Sequence, residues 1–169
     1  MPIRGAGGCG CFPSDTPVDT PHGRQAIATL KVGDPVLAED PATGRVEAEP
    51  IRAVIDDGVK PTMRVGLSDG SALTVTTNHP FYADASAVRG QAGWVQAGDL
   101  RVGDRLRTEG GADLLIVALR YHTGSAHVYT LTVATGHTFF VGGGVPVLVH
   151  NTNRCPSGFT PPGWYCEQA

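Results

Sequence analysis

Short apolar runs rich in β-branched residues alternate with turn residues along most of this chain. Runs of this length between turn signals are typical of strands. Glycine-containing turns separate many of them, for example at 21–23, 32–34, 42–44 and 68–70. We therefore predict strands at residues 25–30, 35–38, 51–56, 63–67, 72–77, 94–95, 104–108, 114–121, 128–133, 138–141 and 145–149. Helical turns are expected only at 84–88 and 96–100, so the chain is predicted to be all-β.

One segment occurs twice in the chain. Residues 30–36 read LKVGDPV, and residues 100–106 read LRVGDRL. Each copy is followed later by a hairpin-like segment that ends at a histidine-bearing strand, with His79 in the first half and His137 in the second. This repeat predicts a duplicated half-domain with pseudo-two-fold symmetry. The alternative is that the two Val-Gly-Asp turns arose independently.

Length and charge narrow the function classes. With 169 residues, of which 41% are hydrophobic, the chain can build the core of one domain. A net charge of −3 and the lack of a basic run give no electrostatic support for nucleic-acid binding. No apolar stretch approaches the roughly 20 residues of a membrane span, and residues 1–10 lack the apolar core of a signal peptide. We expect a monomer without nucleic-acid or membrane partners, cofactor or metal.

The last predicted strand ends at a polar triplet. The apolar residues 145–149 are followed by His150, Asn151 and Thr152. A buried strand would carry this triplet into the body of the protein. The amide of an asparagine can attack its own main-chain carbonyl and close a succinimide, which cuts the chain after the asparagine. A neighbouring histidine can polarise that carbonyl, so the triplet is a candidate self-cleavage junction; the alternative is an ordinary strand end and turn.

Another histidine is expected at the same junction. His137 begins the preceding strand, and a hairpin at residues 142–144 would bring it back beside Asn151. That position suits a base acting on the asparagine amide.

A second junction is predicted at Cys11. Its thiol can attack the carbonyl of Gly10 and convert the Gly10–Cys11 amide into a thioester, because cysteine is intrinsically nucleophilic. Gly10 has no Cβ to block the approach. The alternative is an ordinary buried cysteine.

Residues 76–80 carry the groups that would assist there. On a strand Thr76 and Asn78 share one face, and Pro80 favours a bend directly after His79. A histidine with an ordinary pKa near 6.5 can protonate the leaving amine, and the shorter polar side chains can hydrogen-bond the carbonyl oxygen. The alternative is a buried or turn histidine that serves only the fold.

Taken in order, these motifs resemble the Hint superfamily, which comprises inteins, bacterial intein-like domains and the carboxyl-terminal domains of hedgehog proteins. The resemblance rests on residues 11–18, 70–81, 94–104, 128–133, 137–141 and 147–151. It implies a horseshoe-like, pseudo-symmetric all-β fold with both junctions side by side. It also implies roles for the candidates named above: first nucleophile (Cys11), assistance at the first bond (Thr76, Asn78, His79), cyclisation (Asn151, with His150 and His137) and acyl acceptor (Thr152).

The resemblance divides the chain into three parts. Residues 1–10 form an N-terminal flank, residues 11–151 the autoprocessing domain, and residues 152–169 a C-terminal flank. The partners would be the flanks themselves, and residues 82–122 are too few to hold a homing endonuclease. The ending at 147–151 is most similar to bacterial intein-like and polymorphic-toxin Hint domains, which implies a place in a larger, secreted bacterial protein.

Two departures from the family pattern favour cleavage over ligation. Thr130 stands where many inteins carry an aspartate that supports the first cleavage. Thr152 is a hindered secondary alcohol with no thiolate-like population, so a thioester at Cys11 would persist until water or an added thiol captured it.

Other functions are compatible with parts of the sequence. Cys9 and Cys11 with Cys155, Cys166 or a histidine could bind zinc, although no Cys-x-x-Cys spacing is present. Disulfides between Cys155 and Cys166 or between Cys9 and Cys11 are alternatives, and the latter would block the nucleophile as a redox switch. An inert β-domain that acts as a spacer or binding module is a further alternative. A sterol transfer of the hedgehog kind is not expected, because no apolar sterol-recognition segment follows the domain.

Overall fold

The computed structural model describes the backbone of residues 3–4 and the whole of residues 10–135 and 137–150. Asn151, Thr152 and the remaining C-terminal flank lie outside the described residues, as does Cys9. Within the described ranges the elements are strands and three short 3-10 turns. The strands are β1 (Ile3–Arg4), β2 (Phe12–Pro13), β3 (Pro17–Thr20), β4 (Gly23–Ala26), β5 (Pro35–Asp40), β6 (Arg45–Leu67), β7 (Ala72–Val75), β8 (Pro80–Ala85), β9 (Gly93–Gln96), β10 (Arg105–Leu106), β11 (Leu114–Val133), β12 (Thr138–Val141) and β13 (Val147–His150).

These strands form one open sheet, which confirms the all-β prediction. Its path runs β1-β6-β11-β10-β8-β13-β12-β3-β4, and β2, β5, β7 and β9 pair with its members at the sides. No helix in the described ranges is long and apolar enough to cross a bilayer.

Two long strands form the spine of the sheet. β6 and β11 pair antiparallel from Leu67↔Ile116 to Ile51↔Val133. β6 contains the two predicted strands 51–56 and 63–67, and β11 contains 114–121 and 128–133. The prediction that each pair is separated by a turn was therefore wrong. The turn-rich residues between the runs stay paired because register shifts and the positive φ of Gly58 (71°) and Gly124 (130°) bend the ladder without ending it.

Two of three local predictions need correction. β4 ends at Ala26, and the rest of the predicted strand 25–30 is a 3-10 turn at Ile27–Thr29. The predicted helical turn at 84–88 is instead the end of β8 and a turn. At 96–100 a helical turn does form, as a 3-10 turn at Ala97–Asp99.

The repeated segment adopts the same structure twice. In each copy a 3-10 turn precedes the repeat, and an aspartate carboxylate accepts a hydrogen bond from the backbone N–H three residues earlier: Asp34 from Lys31 and Asp104 from Arg101, both at 2.9 Å. The glycine of each copy donates its N–H to the long strand at 2.8 Å, to Ile51 in the first half and Ile116 in the second. The predicted duplication is therefore present in the fold.

The core packs the two halves together at the end of the sheet where the predicted junctions lie. Phe12, Phe81 and Phe139 are fully buried, and the ring of Phe12 meets the other two edge-on at 6.3 and 6.4 Å. Since Phe12 follows Cys11 directly, the burial of its ring draws the first junction into the core.

Candidate functional site

Cys11 is held by its backbone inside the core. Its side chain is fully buried, and the following strand β2 pairs with β11 through Phe12↔Tyr129. The Cys11 N–H donates a hydrogen bond to the hydroxyl of Thr76 at 2.8 Å, and the Thr76 N–H donates to the Cys11 carbonyl at 3.0 Å. The nitrogen of the Gly10–Cys11 bond is therefore fixed by Thr76.

The hydrogen bond continues to a third residue. The Thr76 hydroxyl donates to Oδ1 of Asn78 at 2.9 Å, which leaves its oxygen lone pairs to accept from Cys11. Both side chains sit on the turn between β7 and β8 rather than on a strand. The structure thus places Thr76 and Asn78 together at the first junction.

His79 lies in the same place but in an apolar environment. Its ring is fully buried and packs 4.3 Å from the ring of Phe12, with Phe81 and Phe139 at 5.9 and 6.3 Å. Nδ1 lies 3.3 Å from the Pro80 carbonyl, which fits Nδ1–H as the donor. In the described part of the chain Nε2 contacts no hydrogen-bond partner.

Burial changes the protonation of His79 from what the sequence suggested. Loss of solvation lowers the pKa of His79 to about 3, against a smaller opposite effect of the Pro80 hydrogen bond. The expectation of an ordinary pKa near 6.5 is wrong, because the ring lies in the apolar core. At neutral pH His79 is a neutral imidazole whose Nε2 can accept a proton.

The sulfur of Cys11 is in a disulfide, and its partner cysteine lies outside the described residues. A disulfide sulfur is not a nucleophile towards the neighbouring carbonyl. In this state the thiol chemistry predicted at Cys11 requires prior reduction.

A second group of residues gathers at the end of β13. β12 and β13 pair from Val141↔Val147 to Thr138↔His150, so the hairpin returns His137 to the side of His150 as predicted. Their ring centroids lie 6.1 Å apart. Nδ1 of His137 lies 2.9 Å from the Val133 carbonyl, and the residue has a φ of 59°, a conformation that side chains rarely adopt.

The two groups lie on neighbouring strands. β13 pairs with β8 at Val149↔Phe81, and the charge of His150 contributes to the lowered pKa of His79. The chain continues from His150 into Asn151 and Thr152, which lie outside the described residues. The structure therefore gathers Cys11, Thr76, Asn78, His79, His137 and His150 at one end of the sheet.

Two residues outside the predicted catalytic set also lie at this end of the sheet: Trp94, to which no role was assigned from the sequence, and Thr130, already noted as a departure from the family pattern. The Trp94 ring meets the ring of His150 edge-on at 5.0 Å and 85°. Thr130 is fully buried, and its hydroxyl has no partner in the described region. A cavity of about 540 Å³ opens beside His150 between Trp94 and the acidic hairpin of β5 and β6. Trp94 could have been noticed in the sequence, because it is a large aromatic residue shortly before the second copy of the repeated segment. Tyr82, its partner across the sheet, has no such feature beside it.

No group of three or more His, Cys, Asp or Glu residues that could hold a metal occurs in the described ranges. The cysteines of the zinc alternative other than Cys11 lie outside those ranges, so that alternative stays a prediction.

Comparison with known proteins places this arrangement in a family. The pretoxin HINT domain family matches residues 17–152. The solution structure of a bacterial intein-like domain from Clostridium thermocellum is 31% identical, with a TM-score of 0.72 over 83% of this chain and 98% of that one. No curated protein matches the sequence.

Inteins share the fold at lower identity. A DnaB intein from Synechocystis is 21% identical, with a TM-score of 0.71 over 84% of this chain and 98% of that one. The Ssp DnaB mini-intein variant M86 is 20% identical, with a TM-score of 0.70 over 89% and 96%. These likenesses confirm the horseshoe-like fold predicted from the sequence. The chain belongs to the pretoxin HINT domain family and, with the intein-like domains, to the Hint superfamily of self-processing domains.

Proposed function

We propose that this domain cleaves its own chain at both of its ends, at the Gly10–Cys11 bond through a thioester and after Asn151 through a succinimide. The observation that supports this most directly is the hydrogen-bonded series from the Cys11 amide to Thr76 and Asn78. The amide nitrogen that must leave during the reaction is held by the Thr76 hydroxyl inside the core, where the ring of His79 is also buried. Within the described residues, Nε2 of that ring has no hydrogen-bond partner.

In the first step the reduced thiol of Cys11 attacks the Gly10 carbonyl. Neutral His79 takes the thiol proton on Nε2 and passes it to the departing Cys11 nitrogen, so the C–N bond breaks as the C–S bond forms. The low pKa of His79 favours the second half of this transfer, since the protonated ring gives its proton readily to the departing nitrogen, whereas uptake of the thiol proton is the uphill half. The thioester then yields to water or to an added thiol.

In the second step the side-chain nitrogen of Asn151 attacks the Asn151 carbonyl. A succinimide closes, the bond to Thr152 breaks, and Thr152 leaves with a free α-amine. His150 polarises the carbonyl, and His137 takes the proton of the attacking amide and passes it to the departing Thr152 nitrogen. The pairing of Thr138 with His150 supports this division of roles, because it keeps both rings at the end of one hairpin.

Ligation of the flanks requires the hydroxyl of Thr152 to attack the thioester before water does. A secondary alcohol at neutral pH is a weak nucleophile compared with a thiolate. Thr130, which follows the partner of Phe12 on β11, offers a buried hydroxyl where a carboxylate would couple the two steps more tightly. We therefore expect cleavage to exceed ligation.

The proposed biological role is release of a downstream segment from a larger bacterial protein, in cis. The family to which residues 17–152 belong is described as a pretoxin domain, which supports this setting. The domain would act once on its own polypeptide, with no partner beyond its flanks.

Two variants test the chemistry. In reductant, Cys11→Ala is expected to lose cleavage at Gly10–Cys11 and to retain cleavage after Asn151. Asn151→Ala is expected to lose cleavage after residue 151 and to retain cleavage at Gly10–Cys11. Intact mass and gel analysis of both variants beside wild type measures each cut separately. Cutting at both bonds in both variants would overturn the mechanism, and an uncut wild-type chain after long incubation would favour the inert β-domain.

A further inference from the structure

A series of side-chain contacts runs from the acidic hairpin to the ring of His150. Tyr82 and Trp94 are directly paired on β8 and β9, so both side chains project from the same face of the sheet. Their rings meet edge-on at 5.2 Å and 84°. The Trp94 ring in turn meets the His150 ring edge-on at 5.0 Å.

The far end of this series is anchored by charge. The guanidinium of Arg107 lies 4.9 Å from the centre of the Tyr82 ring. It donates to Asp84 at 2.8 Å through Nε and to Glu39 at 2.7 Å through a terminal nitrogen. Both carboxylates raise the pKa of Arg107, so the cation over the ring is permanent.

The backbone at Arg107 ties the same elements together. Its N–H donates to the Tyr82 carbonyl at 2.9 Å, and its carbonyl accepts from the Leu148 N–H at 2.9 Å. One residue thus bridges the strand that carries Tyr82 and the strand that carries His150. The anchored guanidinium and the tyrosine ring form a fixed support behind Trp94.

His150 needs such a support for the role proposed above. An imidazole can turn about its terminal side-chain torsion, which is broad and roughly two-fold. Only an orientation that aims a ring nitrogen at the neighbouring carbonyl would assist cyclisation. The ring lies between His137 at 6.1 Å and Trp94 at 5.0 Å, so Trp94 limits its rotation from one side.

We propose that Trp94, supported by Tyr82 and Arg107, is a positioning residue for His150 and sets the rate of cleavage after Asn151. The inference rests on the proposed function. Trp94 does not contact the reacting atoms in this proposal and takes no part in the step at Cys11. Its effect is therefore confined to one of the two junctions.

The test uses the whole chain in reductant and measures both cuts in the same sample by time-resolved intact mass. Trp94→Leu is expected to slow cleavage after Asn151 by about 10- to 100-fold, the range for a small misplacement of a catalytic group, and to leave thiol-induced cleavage at Gly10–Cys11 unchanged. Trp94→Phe keeps an aromatic ring that can contact His150 edge-on. Its rate of cleavage after Asn151 is therefore expected to stay within about threefold of the wild-type rate.

Arg107→Gln is expected to slow the same cut, and its matched control is Arg105→Gln. Arg105 lies on β10, two residues before Arg107. Its exposed side chain lies 3.8 Å from Asp113, and its loss should change neither cut. A Trp94→Leu chain that cleaves after Asn151 as fast as wild type would overturn the proposal, as would one in which both cuts slow equally. A wild-type chain that does not cut after Asn151 would instead overturn the proposed function.

The pH profile separates positioning from general loss of structure. A misoriented His150 should change the dependence of cleavage after Asn151 on pH across the titration of imidazole, between about pH 5 and 8. Trp94→Leu with a profile parallel to that of wild type would contradict the positioning role.

Discussion

At the scale of single residues, Thr76 has the most direct connection to the chemistry. It binds both backbone groups of Cys11, and its hydroxyl is the middle member of the series that ends at Asn78. A backbone contact alone would fix the position of Cys11. The hydroxyl adds a contact to the nitrogen whose bond is to be broken, which a purely structural residue would not need.

Thr76→Val should therefore slow cleavage at Gly10–Cys11 by about 100-fold, the cost of removing one well-placed hydrogen-bonding group from a reacting amide. Thr76→Ser should keep most of the rate. Thiol-induced release of residues 1–10 in an Asn151→Ala background measures this step alone. Thr74→Val, at a partly exposed position on the preceding strand β7, is the matched control, and a Thr76→Val chain as fast as this control would refute the role.

His79 links the site to the stability of the fold. Burial lowers its pKa to about 3 in the folded state, while an unfolded chain would have a value near 6.5. Above about pH 6.5 both states hold a neutral ring. Below it only the unfolded state takes up the proton, so the free energy of unfolding should fall by about 1.4 kcal/mol for each pH unit.

Urea unfolding between pH 7 and 4.5 checks this in a Cys11→Ala, Asn151→Ala chain that cannot cleave. His79→Leu should lose stability less steeply on acidification than the parent. His22→Gln, at an exposed position, should follow the parent. Equal slopes for the parent and His79→Leu would show that His79 is not held neutral.

At the scale of elements, the repeated turns hold the segments that carry the site. The first two N–H groups of the 3-10 turn at Ala97–Asp99 donate to the carbonyls of His79 (2.8 Å) and Thr77 (2.7 Å). The turn at Ile27–Thr29 makes the same pair of contacts with Thr16 and Ser14, at 2.9 and 3.1 Å. The duplication therefore supports the histidine segment in one half and the segment after Cys11 in the other.

The two aspartates of the repeat, Asp34 and Asp104, should contribute differently to the free energy of unfolding. Asp104 is buried, and its carboxylate accepts from the N–H groups of Arg101 and Ala87, both at 2.9 Å, whereas Asp34 is less buried and accepts from Lys31. Asp104→Ala should lower the free energy of unfolding by about 2–3 kcal/mol, since two part-buried N–H groups lose a charged acceptor that is itself buried. Asp34→Ala should cost about 1 kcal/mol on the same scale. Urea unfolding in the non-cleaving background compares them, and equal losses would contradict this account.

The elements were predictable where local pattern decides them. Residues 138–141 and the final strand follow from apolar runs, and the repeat around Asp34 and Asp104 follows from identity between the copies. The continuity of β6 and β11 was not predictable, because Gly58 and Gly124 are ordinary turn signals in sequence and act here as bends within a paired ladder. The contact of Trp94 with His150 depends on pairing between distant strands, which no local pattern encodes.

At the scale of the whole molecule, the state of Cys11 determines which cuts are available. Its sulfur is in a disulfide, so the first junction should be inactive until reduced. The step after Asn151 needs no thiol. Under oxidising conditions the chain should release only the segment after Asn151, and added reductant should start the cut at Gly10–Cys11.

Intact mass of the oxidised chain before and after addition of a phosphine reductant measures this dependence. Iodoacetamide added after reduction should block the first cut and spare the second, since it alkylates the thiol. Equal cutting at Gly10–Cys11 with and without reductant would rule out the disulfide as a control.

Cleavage through a thioester at Cys11 and a succinimide at Asn151 is tested most directly by time-resolved mass analysis of the reduced wild-type chain in the presence of a small thiol. Residues 1–10 should appear with the thiol joined to the Gly10 carboxyl, and a fragment ending in a succinimide at Asn151 should accumulate as residues 152–169 are released. A chain that keeps its full mass, or fragments with neither the thiol adduct nor the succinimide, would contradict this mechanism.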